Sequence, residues 1–183
     1  EIKALKPSGS LKVDVDLGTT NIVLSVLDET NRPVAGDLYP ASAVKDGLVV
    51  DYIGAVRVVK ELKQQIEERL GQSLTYAATA VPPGTVGENA KVMSNVVESA
   101  GMDVVRVVDE PTAAADVLGV ADGAVVDVGG GTTGVSILKN GKVVYTADEP
   151  TGGTHMSLVL AGNYKISFEE AERIKTDPAR QKE

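Results

Sequence analysis

With 183 residues, 43% of them hydrophobic, the chain is long enough to bury a substantial core, in one large domain or two small ones. A formal charge of −8 and only 3% aromatic residues exclude a protein that wraps nucleic acid with basic patches or stacks bases on aromatic platforms. The absence of cysteine and the single histidine, His155, exclude thiolate and His-rich metal sites and fit a reducing compartment; His155 reads as a polar residue at a helix start.

Residues 1–10, within "EIKALKPSGSLK", read as an N-terminal extension without the apolar stretch of a signal peptide. No apolar run reaches the length of a membrane span, so the expectation is a cytoplasmic chain without membrane contact. Residues 11–17 and 22–27 read as β-branched strands around a tight turn, and 33–39 as a third strand. Asp51 caps a long helix with Ile53, Val56, Val59, Leu62, Ile66 and Leu70 on one face, ending at Gly71. Residues 75–81 form a strand stopped by Pro82 and Pro83, 85–100 a second helix closed at Gly101, 103–108 a strand and 110–118 a helix. The turn at 119–123 is the expected boundary between a first unit, 11–119, and a second, 120–183. There an apolar strand ends at Asp127, and after a glycine-rich loop the strands 135–139 and 142–146 are joined by Asn140-Gly141. That pair suits a hairpin turn needing positive φ at both central residues. Residues 168–175 read as a charged helix, with Asp177-Pro178 after it.

The loop Gly129-Gly130-Gly131-Thr132-Thr133-Gly134 satisfies G-x-G-x-x-G, yet a hairpin follows it. A dinucleotide site would need a helix that starts at the last glycine and points its N-terminus at a pyrophosphate. Asp148 stands at the downstream distance of a ribose-binding acid, but across a hairpin that distance carries no meaning. No G-x-x-x-x-G-K-[ST] motif occurs, so an ordinary P-loop is excluded. Instead, "VDVDLGTTNIVLSVL" and "AVVDVGGGTTGVSIL" repeat one design: an aspartate at the end of an apolar strand, glycine, two threonines and a second strand. Such turns present successive backbone N–H groups to an anion, and threonine hydroxyls add donors. Gly18, Thr19, Thr20 and Asn21 facing Gly129, Gly130, Gly131, Thr132 and Thr133 would grip a di- or triphosphate from two sides. Asp16 and Asp127 would repel that polyphosphate unless Mg²⁺, held mostly through its waters, lies between them; either aspartate alone could equally cap its turn.

"VDVDLGTTN", "DEPTAAA" and "VVDVGGGTTGVS" resemble, in order and spacing, the first phosphate loop, first connecting segment and second phosphate loop of the actin / DnaK-chaperone / sugar-kinase ATPase superfamily. "KDGLVVDYIGAVR", "DEPTAAADVLGV" and "YTADEPTGGTHMSLVLAG" resemble its ethanolamine-utilisation members, over nearly the whole chain from residue 11. The resemblance implies an α/β, actin-like (ribonuclease-H-like) fold of two lobes, 11–119 and 120–183. The second lobe is expected to be incomplete, because relatives continue past the helix that "FEEAERIK" resembles. It implies ATP and Mg²⁺ as cofactors, with Asp16 and Asp127 in the magnesium–water shell and Glu110 as the carboxylate that orients or deprotonates the attacking water. Without its flanking motif, Glu110 would read as a first-turn acid completing a helix dipole.

By the same resemblance, Gly152 and Gly153 match a pair near the phosphate–ribose side of the nucleotide. Glu172 and Lys175 match residues that contact ribose and adenine, though Glu/Lys pairs are ordinary on helix surfaces. The implied function is an ATP-binding, chaperone-like factor of bacterial ethanolamine utilisation, with ethanolamine-utilisation enzymes or microcompartment proteins as partners. A filament-forming module and a small-molecule kinase are the alternatives on the same fold. Two departures point to slow or absent hydrolysis. Gly134 stands where DnaK-type chaperones carry an aspartate, and the passage from Asp46-Gly47 to the long helix leaves little room for the insertion that carries their catalytic lysine.

Overall fold

The computed structural model describes residues 7–40, 42–45, 47–85 and 88–179. Asp46, residues 1–6 of the expected extension, positions 86–87 at the expected start of the second helix, and 180–183 of the tail lie outside the described residues.

Strand β1 (Lys12–Leu17) alternates, so that Val13, Val15 and Leu17 enter the core while Asp14 and Asp16 share the other face. It returns antiparallel as β2 (Asn21–Leu27), which pairs with β3 (Pro33–Pro40). A short hairpin, β4 (Val44–Lys45) and β5 (Leu48–Val49), leads into α1 (Tyr52–Leu70). The Asp51 carboxylate caps that helix by accepting the Gly54 N–H at 2.9 Å, and Gly71 ends it at φ 69°. The buried stripe of α1 is Ala55, Val58, Val59, Leu62 and Ile66, with Val56 and Leu70 partly buried against it. Ile53, expected on this face, is instead 76% exposed. At 3.6 residues per turn, nine residues separate it from Leu62 by about 180°, so the two point in opposite directions.

β6 (Tyr76–Val81) pairs parallel with β1, and after α2 (Glu88–Ser99) the chain returns as β7 (Asp103–Asp109), parallel to β6. The resulting sheet has the order β3-β2-β1-β6-β7. α1 and α2 pack on it, and one core runs from Val13 through Leu24, Ile66 and Met93 to Met102.

α3 (Glu110–Leu118) starts where β7 ends, capped by the Asp109 carboxylate on the Thr112 N–H (3.0 Å) and closed by Gly119 at φ 66°. It packs against a second, three-stranded antiparallel sheet of order β10-β9-β8, made of β8 (Gly123–Val128), β9 (Thr133–Lys139) and β10 (Lys142–Glu149). Asn140 (φ 53°) and Gly141 (φ 69°) form the expected turn with both φ positive. β10 runs three residues past its expected end at 146. The core here is small: Ala115, Val125 and Leu138.

α4 (Gly153–Tyr164) follows, then α5 (Phe168–Thr176), capped by Ser167 and packed on α4. The hydrophobic pattern does not announce α4, because its apolar residues form no stripe: Met156, Leu158 and Val159 are exposed, whereas Ser157 is buried. Among the described residues no helix is long and apolar enough to cross a membrane.

Candidate functional site: a cleft between two glycine-threonine turns

Pairing of Leu17 with Ile22 leaves Gly18, Thr19, Thr20 and Asn21 as a tight link between β1 and β2. Pairing of Val128 with Thr133 leaves 129–132 as the matching link between β8 and β9, closed by the Gly129 N–H donating to the Thr132 carbonyl at 2.9 Å. The two turns touch. A Cβ on Gly130 would stand 2.0 Å from the Thr20 Oγ1, so any side chain there would displace the threonine hydroxyl, with no unusual φ involved.

Between the turns lies a cleft of about 200 Å³. Gly18, Thr19, Thr20 and Asn21 line it from one sheet, and Gly129, Gly130, Gly131 and Thr132 from the other. Asp16 and Asp127 enter from the strand ends and Glu110 from the start of α3; Leu17, Val23, Gly47 and Pro82 complete the lining. Thr133, Gly152, Gly153, Glu172 and Lys175 do not line it. The Thr133 hydroxyl donates to the Thr151 carbonyl at 2.6 Å, and the other four lie on or beside α4, behind the second turn. His155 sits in the first turn of α4, where its Nδ1 accepts the Gly152 N–H at 3.1 Å.

The cleft is crowded with carboxylates. Burial, and then the charges of Asp16, Asp127, Asp148 and Asp109, push Glu110 up to about 7. Burial and then Asp127 raise Asp16, and burial and then Asp16 raise Asp14 to about 6. Asp148 was not expected in this group, because its strand was expected to stop at 146. Antiparallel pairing places Asp127, Gly134 and Asp148 side by side across three strands, on one face. Burial raises Asp148 against the opposing hydrogen bond from Thr132, and its buried Oδ1 has no hydrogen-bond partner among the described residues. A side chain on Gly134 would press on Pro83 and Pro111, each 3.2 Å from its Cβ position, so the aspartate expected there from the chaperone resemblance has little space in this chain.

This donor set fits a polyphosphate with a hard divalent cation. It offers only oxygen ligands, two carboxylates at strand ends, and backbone and hydroxyl donors around them. Among the described residues, no group of three or more His, Cys, Asp or Glu side chains comes together as a direct metal cage.

Several known proteins are similar to this chain. Over 165 residues the chain is 50% identical to the ethanolamine utilization protein EutJ of Escherichia coli K12, covering 90% of this chain and 58% of that protein. The crystal structure of EutJ from Carboxydothermus hydrogenoformans matches with a TM-score of 0.90 and 59% identity, over 98% of this chain and 66% of that one. MreB5 of Spiroplasma citri bound to ADP matches with a TM-score of 0.69 and 21% identity, over 90% of this chain and 61% of that one, a likeness of fold alone. The chain thus spans about 60% of the length of the curated relatives it matches. The family model described as Hsp70 protein matches residues 45–181, and the chain belongs to the Hsp70 family, with the α/β fold of the actin-like ATPases.

Proposed function

We propose that the chain binds ATP with Mg²⁺ in this cleft and serves bacterial ethanolamine utilisation in the cytoplasm as a chaperone-like, nucleotide-dependent factor. The observation that carries the reading is the contact of the two turns at Thr20 and Gly130, which leaves backbone N–H groups and threonine hydroxyls on both sides of one narrow space. In this reading the N–H groups of both turns, with the hydroxyls of Thr19 and Thr20, hold the phosphate oxygens. Asp16 and Asp127 accept hydrogen bonds from the waters of Mg²⁺. The ion, when bound, supplies the positive charge that offsets the carboxylates and the polyphosphate. Glu110, a carboxyl poised near neutrality, orients a water beside the terminal phosphate and takes its proton.

The ethanolamine role rests on the identity with EutJ, and its partners would be ethanolamine-utilisation enzymes or microcompartment proteins. Titration calorimetry with Mg-ATP, Mg-ADP and NAD tests the nucleotide reading. Binding of both adenine nucleotides, weakened by EDTA, with no heat from NAD, is expected; absence of any ATP binding refutes it. Mg-ATP-dependent retention of ethanolamine-utilisation enzymes on the immobilised chain tests the role.

A further inference from the structure

A bulge decides which face of the second sheet Asp148 occupies. Next to the Asn140-Gly141 turn, Lys142 pairs with Lys139 and Val143 with Leu138. Beyond Val144 the register has shifted by one residue, so that Tyr145 pairs with Ile137 and Asp148 with Gly134. Without the shift, Ala147 would stand against Gly134 and the Asp148 side chain would turn to the opposite face, because a slip of one residue exchanges the two faces of a strand. Bulges interrupt a ladder and recur beside active sites, where they re-aim a side chain. Here the side chain re-aimed is a carboxylate.

Position 134 has little room for that group. Pro83 and Pro111 lie 3.2 Å from where its Cβ would stand, whereas the neighbouring strand brings a carboxylate to the same place. From β10, Asp148 accepts the Thr132 hydroxyl, while its buried Oδ1 has no hydrogen-bond partner among the described residues. A buried carboxylate oxygen left unpaired destabilises a fold, so a neutral residue would serve the fold better at this position.

The hydroxyl that Asp148 holds has one proton and two lone pairs. Phosphate oxygens only accept, so a threonine binds them with its proton, and Thr132 gives its proton to Asp148. Thr132 is only 7% exposed yet lines the cleft, and it offers lone pairs there, so the partner it takes is a hydrogen-bond donor. Glu110 lines the same cleft of about 200 Å³. A water between the two has both of its protons accepted and keeps a lone pair free.

We propose that Asp148 is a positioning residue: by taking the proton of the Thr132 hydroxyl it makes that hydroxyl an acceptor, which holds the second proton of the water that Glu110 orients. When the oxygen of this water bonds to the terminal phosphorus, one proton passes to Glu110 and the other stays on the product phosphate beside Thr132. The electron pair of the broken P–O bond leaves with ADP. The proposal rests on the nucleotide reading above, and adds to it a residue that touches neither the nucleotide nor the cation.

The test is a double-mutant cycle of Asp148→Ala and Thr132→Val, read by calorimetry with Mg-ATP and with Mg-tripolyphosphate and by turnover of Mg-ATP. Asp148→Ala frees the Thr132 proton to turn to phosphate. It should tighten both ligands about fivefold, the worth of one net hydrogen bond, and slow turnover about tenfold through loss of the oriented water. In a chain that also carries Thr132→Val, the same replacement should change either affinity by less than about twofold and slow turnover no further. Equal tightening with and without Thr132→Val would mark a charge effect alone and overturn the proposal, as would weaker binding or unchanged turnover in Asp148→Ala. Where turnover of the unaltered chain is below detection, the affinity cycle decides by itself. If the unaltered chain binds neither ligand, the nucleotide reading fails by itself, and NMR of the ligand-free proteins decides the link. A Thr132 hydroxyl proton that exchanges with water as fast in the unaltered chain as in Asp148→Ala then overturns it. Should Asp148→Ala lose its fold in circular dichroism, Asp148→Leu, also without an acceptor, takes its place with the same expectations.

Discussion

Replacing Glu110 by glutamine should stabilise the protein at pH 8 and change it little at pH 4. In the unfolded chain this carboxyl ionises around its ordinary value of 4.5; in the folded protein it keeps its proton up to about 7. Between those values the folded state binds more protons than the unfolded one, so stability is lost as pH rises through the window. The full difference, at about 1.4 kcal/mol per pH unit, corresponds to about 3 kcal/mol. Screening through the open cleft brings this to about 2 kcal/mol, because Glu110 is not fully enclosed. Glutamine keeps the shape and hydrogen-bonding reach of the acid and removes the charge. Urea unfolding in EDTA at pH 4 and pH 8 checks this: the variant should gain about 2 kcal/mol at pH 8 and a few tenths at pH 4. The same gain at both pH values, or a loss at pH 8, would refute the electrostatic account of this site. In a hydrolysis assay the same variant should still bind Mg-ATP and lose most turnover, so that the residue most costly to the fold is the one assigned to the water.

Gly130→Ala places a methyl against the Thr20 hydroxyl and should abolish the melting shift that Mg-ATP confers, while the ligand-free protein melts as before; Thr20→Gly in the same chain should restore part of the shift in thermal scanning. Gly152→Ala meets backbone rather than a movable side chain, so it should lower stability by about 1–3 kcal/mol in urea as well as weaken Mg-ATP binding. The buried Asp28 accepts the Thr30 hydroxyl at 2.6 Å and the N–H groups of Thr30 and Arg32, which hold it at about 2, below its ordinary 3.8. Its stabilisation is present above pH 3.8 and lost as pH falls through about 2, so Asp28→Asn should melt lower at pH 7 and show a flatter decline between pH 4 and pH 2.

Local chemistry was legible where one residue type answers one backbone demand. Asp51, Gly71, Asn140 and Gly141 stand at caps and turns that few other residues satisfy, and each cap or turn they form is where the sequence places it. The two glycine-threonine turns were legible for the same reason, since strand alternation fixes their ends and glycine marks the closest approach between them. What escaped depends on distance across the fold. Ile53 is apolar, but the helical angle to the core decides its exposure. Asp148 follows Thr146 and Ala147 in a stretch without apolar alternation, and only pairing with β9 places it opposite Gly134. Ser157 lies mid-helix among apolar neighbours, and its partner Glu172 is fifteen residues away on another helix.

The second glycine-threonine turn rests on a sheet whose buried core amounts, among the described residues, to Ala115, Val125 and Leu138, whereas the first rests on the large cluster spanning Val13 to Met102. Apolar burial sets how rarely a segment opens, so amide protection should be graded along the chain. β9 and β10 should exchange through excursions much cheaper than global unfolding, while β1 and β6 exchange only when the whole first core comes apart. A ligand gripped by both turns would lend the shallow half some of the cohesion of the deep one. The half-life of the bound state would then be governed by how often β8 to β10 breathe, more than by any single contact to phosphate.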